Sequence, residues 1–354
     1  MQKNNKTFKE MIIAKEKEFL SEYAVKSYES RGRKAPEPES EFRTCFQRDR
    51  DRILHSQHFR RLKSKTQVFV TPKCDVLRTR LTHTLEVSQI ARTIGRALQL
   101  NEDLIEAISL GHDVGHTPFG HAGEEALNEI FPAGFKHNLH SVRVVKILAK
   151  HGRGLNLTEE VIEGIKYHSK GDGPIINETL QFLSLEAQVV RISDRIAYIN
   201  HDLDDAVSEK IITLDDIPKK IVNTLGTHYA FRLNNMIMSV IYESKGKKQI
   251  SIRPDVLEAI EELKDFMFKN VYTVDRVRAA EEEPMKIIKE LYKFLVKYPD
   301  SVIEENIVPN IGQTPEQLAV DFIATLGDYE ALDYYKKFIC ESYEINKYLQ
   351  LKLF

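Results

Sequence analysis

"ISLGHDVGHTPFGHAGEEAL", residues 108–127, packs three histidines and an aspartate into its eleven-residue core, "GHDVGHTPFGH". The run leading into it spaces Leu104, Ile105, Ala107, Ile108 and Leu110 as a mostly buried helix. Glu102 and Asp103 sit in its first turn, where acidic side chains favour the helix dipole. Pro118 breaks the pattern, and a new helix is expected near "FGHAGEEALNEI". Upstream, "RLTHTLEVSQIARTIGRALQL" repeats Leu81, Leu85, Val87, Ile90, Ile94 and Leu98 at helical spacing. Downstream, "LSLEAQVVRISDRIAYINHDLDDAV" predicts one long helix over 183–207. Residues 1–29 read as helical, 30–43 as an exposed loop broken by Gly32, Pro36 and Pro38, and the chain after about 210 as helical throughout. The fold class is therefore all-α, with at most a minor β-hairpin built on "TQVFV" near Pro72.

Composition agrees. Only 16 glycines and 12 prolines punctuate 354 residues, and 42% apolar with 29% charged residues is ordinary for a soluble globular protein. No apolar run approaches the roughly 18 residues of a membrane span, and the N-terminal segment lacks a signal-peptide core, so a cytoplasmic protein with no membrane partner is expected. Cys45, Cys74 and Cys340 lie far apart and fit neither a disulfide framework nor a zinc knuckle. The net charge of −2 is uneven: residues 41–100 carry 13 Lys/Arg against 5 Asp/Glu, or +8, leaving −10 for the rest. Such a segment is either a solvated basic surface or a polyanion site.

A buried carboxylate must be paired or bound to a metal, and Asp113 ends a buried helix beside His112. Alone, an HD pair is better explained by a core histidine bonded to a neighbour. His83 on one apolar helix and Asp194 on another change the weighting. Two histidines and two aspartates from three helices make a four-ligand set suited to one hard to borderline divalent ion. His121 and Glu124, three residues apart, share a helix face, as general acid–base work requires; His116 and His137 would complete a polar wall. Eight of the twelve histidines fall between His83 and His168. Asp194, Tyr198 and Asp202, at i, i+4 and i+8, form a stripe able to grip a sugar through carboxylate and phenol.

With these residues in view, the chain resembles the HD-superfamily deoxynucleoside triphosphate triphosphohydrolases, the dGTPase-like family. The matching pieces are "FRRLKSKTQVF", "RTRLTHTLEVSQIARTI", "EAISLGHDVGHTPFGHAGE", "HNLHSVRVV" and "SDRIAYINHDLDDA", in family order over about 40–206. "VDFIATLGDYEALDYY" resembles the family's C-terminal helical region. The resemblance implies an N-terminal helix and loop over 1–40, an HD helical domain over 41–210 and an associated helical region over 211–354. It implies that His83, His112, Asp113 and Asp194 hold the metal, and that His121 and Glu124 are the catalytic pair with His116 and His137 beside the phosphates. It further implies that Arg61, Arg80 and Arg195 hold the triphosphate, that Gln67 lies near the 3′-hydroxyl, and that Tyr198 and Asp202 read the sugar. His140 departs from the pattern, where a small or amide side chain is expected.

The activity implied is hydrolysis of a dNTP to the deoxynucleoside and inorganic triphosphate, with one divalent ion (Mn, Mg, Fe, Co or Ni) as cofactor. His121, kept cationic by Glu124, is the candidate acid for the leaving 5′-oxygen, or the pair activates water. The resemblance also suggests a homo-oligomer and a dNTP activator. Rival readings are a nucleoside 5′-monophosphatase or phosphodiesterase of the same superfamily, and a protein that binds nucleotide or single-stranded nucleic acid through the basic segment.

Overall fold

The computed structural model describes residues 7–67, 78–169, 173, 175–176 and 181–341. Among these the fold is all-α, as expected, and the isolated antiparallel bridges Arg33–Thr158 and Thr66–Thr79 supply the only β pairing. Most of the expected hairpin, residues 68–77, lies outside the described residues. The chain folds as two units interleaved along the sequence. The first comprises Met1–Ser56, Thr82–His112 and Leu155–Val274, the second Gln57–Leu81, Asp113–Gly154 and Asp275–Phe354.

The first unit is built around helix Glu102–Gly111. Asn101 caps it by accepting from the Leu104 amide, with two acids in the first turn. From Ile105 to its end only Glu106 escapes burial, so neighbours surround it: Cys45–Leu54, Glu159–Tyr167 and Leu185–Ser208. Two glycines set how closely these helices approach. A β-carbon at Gly164 would lie 2.5 Å from Ile108, and one at Gly111 2.5 Å from Ile165. That contact fixes the last turn of the helix, and His112 follows directly.

Helix Leu185–Ser208 starts where Ser184 accepts from the Ala187 amide, and its 24 residues reach roughly 36 Å. Near its start the fully buried Glu186 accepts from the backbone amides of Val25 and Asn101, each at 3.0 Å. Burial pushes this carboxyl up to about 7 against those hydrogen bonds. Tyr229–Ser244 and Pro254–Met267 pack on the same long helix.

The N-terminal region is less helical than expected: a helix spans Phe8–Phe19, opened by a Thr7–Glu10 capping box, and then stops. The Ser21 amide that would extend the helix donates instead to the Gln99 carbonyl at 2.8 Å, and the Lys26 ammonium takes the carbonyls of Ser21 (2.6 Å), Glu22 (3.0 Å) and Ala24 (2.7 Å). The backbone wraps a lysine in place of continuing its own ladder. Much of the basic segment is likewise spent internally: Arg43, Arg50, Arg52, Arg80, Arg92 and Arg96 all pair with carboxylates. That pairing accounts for much of the +8 without a polyanion.

In the second unit helix Asp275–Lys297 packs against Gly120–Ile130, Pro315–Thr325 and Asp328–Tyr335. Phe119 and Gly120 both take left-handed backbone angles (φ +59° and +57°), which turn the chain from Pro118 into its helix. Asp328 holds this turn by accepting from the Phe119 amide at 2.8 Å, and its other oxygen accepts from the Thr66 amide at 2.9 Å.

Candidate functional site

The first unit brings His83, His112 and Asp194 together from three helices. His83 Nε2 lies 3.1 Å from Asp194 Oδ1, and His112 Nε2 lies 3.9 Å from the same oxygen. Both imidazoles are buried, while about a quarter of the Asp194 side chain stays open. His112 Nδ1 is 2.6 Å from the Ser109 carbonyl, which can only accept, so a neutral ring keeps its lone pair on Nε2. Desolvation works against the Asp194 charge, yet the His83 hydrogen bond and the imidazoles of His112 and His168 outweigh it and hold the carboxyl below its usual range. One ligand atom from each of the three lies within 4.8 Å of the others. Two imidazole nitrogens and a carboxylate oxygen so placed fit a divalent first-row cation, whose ligands at about 2.0–2.2 Å sit at comparable mutual distances.

Along the long helix, Arg195 donates to the Tyr198 hydroxyl at 2.6 Å and lies over its ring at 4.7 Å. One turn on, buried Asp202 accepts from the Tyr272 hydroxyl. Sequence reasoning missed Tyr272. It ends a π-helical turn, Phe268–Tyr272, and such turns often mark functional sites, but nothing local in the sequence announces one. His201 was also missed. It is fully buried, its Nδ1 lies 3.4 Å from His83 Nδ1, and a signal existed, because it follows Asp194 by two helical turns.

The second unit gathers the remaining candidates. Asp113 accepts from Arg80 Nη1 at 2.7 Å, and Arg80 Nη2 reaches the Gln67 carbonyl at 3.3 Å. Glu124 differs from expectation: both its oxygens lie 2.9 Å from His137 Nδ1, while His121 is 3.9 Å away and two-thirds exposed. Its first partner is His137. Burial alone would discharge that ring, but Glu124 outweighs it and raises His137 above the ordinary histidine value. Burial, with Arg80 and His137 beside it, drives His116 well below that value. The two rings stack at 4.7 Å, one favouring the cation and the other the neutral base. Arg61 lines a cavity of about 400 Å³ with Arg60, Lys63 and Tyr329.

Two supports lay beyond sequence reasoning. Lys65, 2% exposed, donates to the carbonyls of His116 and Ala324, and burial among Arg80 and Arg61 pushes its ammonium down to about 7. His140 spans from the Gly115 carbonyl (Nδ1, 2.9 Å) to Asp321 (Nε2, 3.3 Å), which makes it a strut under the histidine turn. The Gly115 amide also donates to Ser141 Oγ at 3.0 Å. A β-carbon at Gly115 would fall 2.2 Å from the Ser141 nitrogen and 2.5 Å from the His140 carbonyl carbon. Backbone cannot swing aside as a side chain does. Gly115→Ala is therefore expected to cost about 1–3 kcal/mol of stability, read as a lowered thermal midpoint; an unchanged midpoint would show that this contact yields easily.

Helices presenting clustered histidines and aspartates define an HD-type protein, and the comparisons agree. A family model described as HD domain matches residues 80–199, and one described as phosphohydrolase-associated domain matches 250–337. A deoxyguanosinetriphosphate triphosphohydrolase-like protein of Caldanaerobacter subterraneus subsp. tengcongensis is 47% identical over 327 residues, 92% of this chain and 94% of its own. Proteins of the same description from Desulfatibacillum aliphaticivorans and Clostridium perfringens are 45% and 46% identical, over 94% and 87% of this chain and 97% and 91% of theirs. The chain belongs to the family of deoxyguanosinetriphosphate triphosphohydrolase-like proteins.

Proposed function

We propose that this protein hydrolyses deoxynucleoside triphosphates to the deoxynucleoside and inorganic triphosphate. The observation that carries the reading is the convergence of His83, His112 and Asp194, set in a chain whose relatives carry the triphosphohydrolase-like description. These three and Asp113 would hold one divalent ion. When bound, that ion supplies a Lewis acid for the α-phosphoryl group and a nucleophile near neutral pH. Arg80, Arg195 and Arg61 offset charge along the phosphate chain. His137, charged by Glu124, stands beside the phosphates as a fixed cation, and His116 takes the neutral role next to it. His121 has the open ring of the group, although desolvation by the surrounding protein, with Arg80 beside it, lowers its pKa; it would either protonate the leaving 5′-oxygen or activate water. Tyr198 and Asp202 receive the sugar. The setting we infer is a cytoplasmic homo-oligomer in which a dNTP can also act as activator.

Incubating the metal-loaded protein with each dNTP, singly and in pairs, tests the reading. Triphosphate and deoxynucleoside should appear in equal amounts, and the pairs reveal an activator. Orthophosphate released from deoxynucleoside monophosphates, with no triphosphate from any dNTP, would replace this activity with the monophosphatase one.

A further inference from the structure

His83 can offer a metal only one nitrogen, and what faces the other decides which. Its Nε2 points to Asp194 and its Nδ1 lies 3.4 Å from His201 Nδ1, with the two rings nearly perpendicular at 88°. His201 Nε2 in turn lies 3.1 Å from Glu86 Oε2. The four residues form two pairs on two helices. Glu86 follows His83 by three positions on Arg80–Ala97, and His201 follows Asp194 by seven on Leu185–Ser208. Both spacings return to the same helix face, so the metal side and this outer side are built from the same two elements. His201 is completely buried, whereas about a third of Glu86 is exposed.

A neutral imidazole carries one proton, and a carboxylate only accepts. The charge of Glu86, 3.1 Å away though not aligned for a hydrogen bond, favours the proton of His201 on Nε2, which leaves Nδ1 as an acceptor. That acceptor competes with the Asp194 carboxylate, 3.1 Å from Nε2, for the proton of His83; where a cation takes over Asp194, it holds the proton on Nδ1 and leaves Nε2 bare. We propose that Glu86 and His201 are positioning residues that act in series to fix the tautomer and ring orientation of His83, so that its Nε2 faces the divalent ion. The proposal rests on the metal site inferred above. Outer partners of this kind typically contribute about 10–100-fold in metal affinity.

Calorimetric titration of the full-length, metal-stripped protein with Mn²⁺ alone tests it. His201→Leu removes the acceptor and should weaken binding about 10–100-fold. His201→Asn places an amide oxygen where Nδ1 was and should recover most of that loss. Glu86→Ala, at the partly exposed end, should weaken binding about tenfold with the melting of the metal-free protein unchanged. Nitrogen NMR of the metal-free protein should show the His83 proton shared between Nδ1, facing His201, and Nε2, facing Asp194, and confined to Nε2 after His201→Leu, a shift that a merely space-filling role would not produce. Wild-type affinity in both His201→Leu and Glu86→Ala, or a failure of His201→Asn to restore binding while its metal-free melting matches wild type, would overturn the relay. A wild-type protein that takes up no divalent ion would instead remove the metal site itself.

Discussion

Asp194→Asn is expected to abolish measurable divalent-ion binding and to lower kcat/KM for dNTP hydrolysis by about a thousandfold or more, equivalent to about 4 kcal/mol. The substitution keeps size and the oxygen that His83 approaches at 3.1 Å. What it removes is charge. Asp194 is the only carboxylate in the group that His83 and His112 complete. An amide there leaves two imidazoles and Asp113 to hold a dication with less opposing charge. The fold should survive, because a side chain about a quarter open to solvent contributes little to the core. The informative measurement is the thermal midpoint with and without metal. A ligand that binds only the folded state raises it. Wild type should shift upward on adding Mn²⁺, and Asp194→Asn should stay where its metal-free form melts. A variant that shifts like wild type and still releases triphosphate would remove Asp194 from the ligand set.

Asp321→Ala should produce the largest loss of stability, about 3–5 kcal/mol, and lower the thermal midpoint by roughly 10 °C. Asp321 is fully buried and accepts from Arg143 through Nε (2.7 Å) and Nη2 (2.6 Å), from Gln317 (2.9 Å) and from His140 (3.3 Å). Removing the carboxylate strands those donors, and a broken buried pair costs more than the intact pair contributes. The effect has a pH signature. Burial pushes the Asp321 carboxyl up, but the hydrogen bonds and charges of Arg143 and His140 outweigh it, and the net shift is downward. A carboxylate with a depressed folded pKa contributes stability above its unfolded value and loses it as pH falls through the folded one. The gap between wild type and Asp321→Ala should hold from pH 7 to 5 and close only below about pH 4. A gap that persists unchanged into strong acid would assign the loss to packing alone. His140 belongs to the same network, which accounts for a histidine at a position where the family resemblance suggests a small or amide side chain.

What the sequence by itself determined is whatever repeats within a turn or two of helix. The buried helix Glu102–Gly111, the break at Pro118 and the long helix Leu185–Ser208 were legible because burial of one face imposes a period that neighbouring residues display. Much of the candidate chemistry was legible for a related reason, since histidines and aspartates on apolar helices need partners to be tolerated there. The N-terminal segment misled because the Ser21 amide, which would have continued the helix, finds its acceptor at the Gln99 carbonyl, far along the chain. Tertiary structure alone decided which partner each polar group takes: His137 over His121 for Glu124, His201 for His83, Tyr272 for Asp202 and Asp321 for His140. The last three pairs join residues 118, 70 and 181 positions apart. Their geometry is set by how helices close on one another, at glycines such as Gly111 and Gly164, and no local period records it.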